Sequence, residues 1–168
     1  WGPITRASAE KTASMAKYAT LLDNETIAAA DVGRGRATFD RLCGVCHQMY
    51  GDGGLIGPEL TGSNRTELDY LLTNIIDPSG DIQDDYKTVM VTTRDGRTYS
   101  GTAAAESERS LTLRLVGQSA VVISQSDIQS RDVFPQSMMP EGLLDPFTDR
   151  QVSDLVAYLM TAEQARAR

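Results

Sequence analysis

The segment Cys43-Gly44-Val45-Cys46-His47 constrains this chain more than anything else in it, because it holds both cysteines and the single histidine of the sequence. Three such ligands are too few for a structural zinc site, which takes four. A thioredoxin-like cysteine pair needs a βαβ setting, whereas here a helical pattern precedes the cysteines and a glycine-rich loop follows. A plain Cys43–Cys46 disulfide would leave His47 and that loop without a part to play. Covalent attachment of a c-type haem fits all of these observations. Two thiols three positions apart on a helical turn point the same way, so both can bond the vinyl groups along one haem edge. His47 then lies under the iron and can supply an axial nitrogen.

The neighbouring sequence supplies the elements such a group needs. Asp31 is a candidate N-cap for a helix through Gly35, Phe39 and Cys43, which recur every four residues and share one face. Gly51 to Pro58 is too rich in glycine for helix or central strand and reads as a loop. Thr66 with Asp69 suggests a capping-box start, followed by the apolar stripe Leu68, Leu71, Leu72, Ile75 and Ile76, with Pro78 closing it. Thr148 with Gln151 opens a last helix whose buried stripe is Val152, Leu155, Val156 and Leu159. Residues 1–30 read as an Ala-rich helical leader or linker, with Met15, Tyr18, Leu21 and Leu22 at helical spacing. Trp1-Gly2-Pro3 has neither a starter Met nor a signal segment, so a targeting sequence has been removed or the chain is a piece of a longer protein.

Between the helical stretches the period changes. From Lys87 onward Val89 and Val91 alternate with threonines, Asp95-Gly96 signals a hairpin, and Leu111, Leu113 and Leu115 alternate with polar residues. Residues 87–128 are therefore expected to form a small antiparallel β-module, with a core of Val89, Val91, Leu111, Leu113, Leu115 and Val122.

Composition adds exclusions. At 168 residues, 40% hydrophobic and 23% charged, the chain is an ordinary globular domain in size and make-up. No apolar run approaches the roughly 20 residues that cross a bilayer. The net charge of −7 argues against nucleic acid and anionic membrane surfaces, and suits a partner with a basic docking patch. With one histidine, bis-histidine ligation within the chain is excluded, and the second axial ligand must be something else. Met49 is too near His47 to reach the opposite haem face, and Met90 lies in strand-like sequence.

Beyond the pentapeptide, the chain resembles class I cytochrome c. Gly35-Arg-Ala-Thr-Phe39 is similar to that family's N-terminal helix, Gly57-Pro58-Glu59-Leu60 to its haem loop, and Met139-Pro140 with the helix bearing Leu155 and Tyr158 to its sixth-ligand segment and C-terminal helix. The closest resemblance is to a bacterial haem-binding domain family, often appended to large exported multidomain proteins. That family's Gly-Pro-(acid)-Leu-Thr-Gly, Asp-Pro-Ser and Ser-x-Met-Pro-Glu-Gly-Leu segments correspond to 57–62, 77–79 and 137–143.

The resemblance implies a mostly α fold: a helical core around one covalent haem c over residues 31–168, interrupted by the 87–128 module. It implies a monohaem one-electron carrier with no catalysis of its own, working with a redox partner protein in the periplasm or another extracytoplasmic space. By resemblance, Cys43 and Cys46 attach the haem, His47 and Met139 ligate the iron, the Pro58 carbonyl accepts the other imidazole N–H, and Leu60 packs on the haem face. Extended chain before Pro140 lets only one of Met138 and Met139 face the iron, and the resemblance selects Met139. Arg65, Tyr50, Tyr70 and Tyr86 are candidate propionate contacts, each equally at home as ordinary surface or core. Two other readings stay open: a haem sensor or peroxidase-like enzyme with an exchangeable sixth ligand, and an electron-accepting module of a larger exported dehydrogenase.

Overall fold

Local capping signals set most helix boundaries, and the helices share one core. The computed structural model describes residues 8–167; the reading of Trp1-Gly2-Pro3 lies outside them. Among the described residues the helices are α1 (Ser8–Leu21), α2 (Asn24–Ala29), α3 (Val32–Leu42), α4 (Leu68–Ile76) and α5 (Asp149–Leu159). Asp31 caps α3 as expected, its carboxylate accepting the Gly33 and Arg34 N–H groups at 2.9 and 3.1 Å. The Thr148–Gln151 capping box forms at the start of α5. The Thr66–Asp69 box does not. Glu67 occupies the cap position of α4 without a side-chain bond, because a turn from Asn64 to Glu67 leaves Thr66 outside the helix.

α3 and α5 cross in direct contact. A Cβ on Gly35 would lie 1.9 Å from the Asp154 carbonyl oxygen and 2.8 Å from the Tyr158 Cβ, so only glycine allows this approach. Four residues on, the Phe39 and Tyr158 rings meet at 5.4 Å between centroids, tilted by 60°. Gly35 and Phe39 thus both pack against the C-terminal helix. Beside it, the carboxylate of Asp154, 3% exposed, accepts the Asp31 N–H at 2.7 Å and pairs with Arg34 at 2.8 Å. Tyr18 and Leu22 belong to the same core as Phe39, Leu72 and Leu155, and α1 lies against α4.

A short hairpin, β1 (Gln48–Met49) and β2 (Asp52–Gly53), follows the pentapeptide. Its turn holds Tyr50 at φ 54°, a left-handed conformation unusual for a tyrosine. Then comes a five-stranded antiparallel sheet: β3 (Lys87–Thr93), β4 (Thr98–Glu106), β5 (Ser110–Arg114), β6 (Val121–Ser124) and β7 (Ile128–Ser137), in the order β6-β5-β4-β3-β7. β4 pairs with β3 along its first half and with β5 along its second, the register shifting between Ala103 and Ala105. Val89, Val91, Leu111, Leu113 and Ile123 form a core separate from the helical one.

Three expectations are corrected here. The fold is not mostly α: 36% of it is helix and 24% strand. The sheet runs on past residue 128 through β7, which pairs with β3 from Ile128 to Ser137. Period-2 reading misses this strand because it is an edge, its residues mostly exposed and interrupted by Pro135. Nor does Val122 belong to the module core, being 67% exposed. In the β5–β6 register Ile123 faces the buried Leu111 while Val122 pairs with Thr112, so alternation puts Ile123 inside and Val122 out.

Candidate haem-binding site

Cys43 is the C-cap of α3, and its carbonyl accepts the N–H groups of Cys46 and His47 at 3.0 and 2.8 Å. One turn thus presents both thiols and the imidazole together. The thiols are not joined in a disulfide. Burial pushes Cys43 up to about 12, with Cys46 adding to the effect, and burial raises Cys46 as well. Nucleophilic or redox cysteines need a lowered pKa and a polar setting; this pair has the opposite. Among the described residues, no three His, Cys, Asp or Glu side chains cluster to hold a metal ion.

The imidazole is fixed by the loop that follows. Its Nδ1 lies 2.9 Å from the Pro58 carbonyl oxygen. A carbonyl can only accept, so Nδ1 carries the proton and Nε2 keeps its lone pair for a ligand bond. Burial, the larger effect, lowers the His47 pKa, and the Pro58 bond opposes it. The neutral form is therefore favoured. The chain passes so close to the ring that a Cβ on Gly57 would lie 2.6 Å from His47 Cε1. This cradle, two adjacent thiols and an oriented Nε2 fit a covalently held haem.

The loop is itself anchored. Leu60 donates its N–H to the Gln48 carbonyl at 2.8 Å, and its side chain packs on the helical core. Arg65, 5% exposed, donates from Nε to the Leu60 carbonyl at 3.1 Å, and from its other nitrogens to the carbonyls of Leu159 and Thr161 and the Tyr50 hydroxyl. Its guanidinium also stacks over the Tyr50 ring, 5.2 Å from the centroid. Arg65 thereby ties the haem loop to the C-terminal end of α5, where the helix dipole favours a cation. Tyr50 donates in turn to the Thr161 carbonyl at 2.6 Å, which offsets the strain of its backbone. Tyr70 is 45% exposed, and Tyr86 sits in the short turn before β3.

Met138 and Met139 are both half-buried in the irregular segment after β7. Met139 donates its N–H to the Ser137 hydroxyl at 3.1 Å, and Ser137 donates its N–H to the Ser79 hydroxyl at 3.0 Å. Met49 is fully buried in the helical core and Met90 sits on β3. Two contacts have no counterpart in the sequence reading. The buried Thr102 hydroxyl of β4 donates to the Ile56 carbonyl at 3.0 Å, two residues before Pro58. Ser79 belongs to the quoted 77–79 segment, but nothing in its sequence pointed to Ser137.

The family model for cytochrome c matches residues 32–163 of the chain. No curated protein matches it. Among the described residues, no helix is long and apolar enough to cross a membrane.

Proposed function

Because the chain belongs to the cytochrome c family, a family of haem-binding electron carriers, we propose that it carries a single haem c between His47 and Met139 and passes one electron at a time to a partner protein. The observation that carries this reading is the imidazole whose Nδ1 is committed to the Pro58 carbonyl beside the two thiols of Cys43 and Cys46. Haem, when bound, supplies an iron that alternates between its ferrous and ferric states.

The chain's own residues do the rest. Cys43 and Cys46 hold the group by thioether bonds, and His47 is kept in the tautomer that presents Nε2. Met139 supplies a soft sulfur, which favours the reduced metal and raises the potential relative to two imidazoles. Leu60, half-buried against the helical core, packs on the haem face. The protein acts outside the cytoplasm, in the periplasm, and its acidic surface meets a basic patch on the partner. It is not an enzyme.

Mass spectrometry of the intact chain, with spectra of both oxidation states, tests this reading. One haem mass added to the polypeptide, resistant to acid–organic extraction, and a sulfur-to-iron charge-transfer band in the oxidised protein are expected. Extractable haem, two haems, or fast carbon monoxide binding by the reduced protein would defeat it; the last result would favour a sensor or peroxidase-like site.

A further inference from the structure

The chain that leaves Met139 is held by a helix from outside the family match. α1 ends before residue 32, where the match begins, yet it lies along the segment that follows the methionine. Ser14 and Tyr18 line one narrow crevice together with Gly142, Leu143, Leu144 and Asp145. One turn earlier on α1, the Lys11 ammonium sits 2.6 Å from Asp77 Oδ1 and 2.8 Å from Glu141 Oε1. The Lys11 and Glu141 side chains are 18% and 8% exposed, so the pair is poorly screened. Asp77 is the residue where α4 ends, two positions before Ser79. That serine accepts the Ser137 N–H at 3.0 Å.

We infer that Lys11 is a positioning residue for the sixth-ligand segment, a cationic bolt that fastens Glu141, two residues beyond Met139, to the end of α4. This rests on the proposed ligation by Met139. The ammonium holds its proton above the ordinary lysine range, chiefly through Asp77 and then Glu141, so the bolt is charged at neutral pH. On one side of Met139, Ser137 is pinned to Ser79; on the other, Glu141 is pinned through Lys11 to Asp77. Both fixings converge on the same end of α4. A helix outside the family match thereby governs how readily the methionine lets go.

The test uses the haem-loaded chain. Carbon monoxide can bind the reduced form only after the methionine swings away, so its association rate reads the open population. Losing a hydrogen bond between charged groups costs at least about 1.5 kcal/mol, close to a tenfold shift in such an equilibrium. Lys11→Met and Glu141→Gln should each speed carbon monoxide association about tenfold, and the double variant should be no faster than either alone, as for partners in one contact. Lys11→Arg should restore a near-native rate, and Lys17→Met, on the exposed side of α1, should change nothing. Rates within twofold of the parent for Lys11→Met, or fully additive effects in the double variant, would overturn the proposal. If the parent itself lacks the sulfur-to-iron band and binds carbon monoxide at once, it is the ligation by Met139 that fails. Amide hydrogen exchange across 139–144 then decides the role of Lys11: faster exchange in Lys11→Met sustains the tie, and unchanged exchange ends it.

Discussion

Gly35 and Asp154 touch backbone to backbone: a methyl group at position 35 would lie 1.9 Å from the Asp154 carbonyl oxygen. The contact is between two helices, neither of which can yield without disturbing its own hydrogen bonds. Gly35→Ala must therefore push α5 away from α3, and with it the Phe39–Tyr158 ring contact and the Arg34–Asp154 ion pair. The expected cost is about 3 kcal/mol, the upper end for overpacking, measured by denaturant unfolding of the haem-loaded protein. A loss under about 0.5 kcal/mol would mean the crossing adjusts freely.

Phe39→Ala leaves the same crossing without its largest side chain on the α3 side. Phe39 is 2% exposed and meets Tyr158, which is wholly buried. A drop of about 3–5 kcal/mol is expected for this truncation. Since α3 ends at the cysteine turn, the variant should also attach haem less completely during expression, which absorbance per polypeptide measures. Full haem occupancy with a loss below about 1 kcal/mol would place Phe39 outside the core.

Thr102→Val tests the bond from the sheet to the loop that orients His47. Thr102 is 2% exposed, and its hydroxyl donates to the Ile56 carbonyl. Valine keeps the shape but leaves that carbonyl without this donor, which costs about 1–3 kcal/mol, whereas Thr102→Ser keeps the bond. The valine variant alone should show faster amide exchange across 54–58. Equal exchange in both variants would show that the loop does not lean on the sheet.

Met139→Ala should abolish the sulfur-to-iron band and lower the reduction potential, while Met138→Ala leaves both nearly unchanged. Both side chains are half-buried, so exposure does not separate them, and the spectra of the two variants do. The reverse pattern would move the ligand to Met138. No effect from either would remove the thioether ligand altogether.

How much could be read beforehand varied with the physical signal. The cysteine turn, the Asp31 cap and the Thr148–Gln151 box were legible because each rests on local chemistry. β3 and β5 were legible by alternation. β7 was not: this edge strand carries no fully buried residue to alternate against, and its partner β3 lies some forty residues earlier in the chain. The Thr66 box failed for the opposite reason, a good local pattern overruled by the turn at Asn64. At the site, the Pro58 carbonyl was anticipated from the resemblance, and its bond to Nδ1 is present. The bonds of Thr102 and Lys11 are long-range pairings of single polar side chains, which leave no periodic trace in a sequence.

The first and last residues of the sheet, Lys87 and Ser137, are register partners on β3 and β7. The excursion between them therefore starts and finishes at nearly the same point in space. Left as a flexible loop, such a length would add closure entropy to bringing α5 back against α3, roughly 0.6 kcal/mol for each doubling. Folded with its two ends paired, it presents the helical part with little more than a short connection. The sheet can then order itself by neighbouring hairpins before α5 docks on α3, so the long separation in sequence need not slow assembly of the helical core. Changes in its hairpin turns, away from Thr102 and β7, should accordingly be tolerated in length.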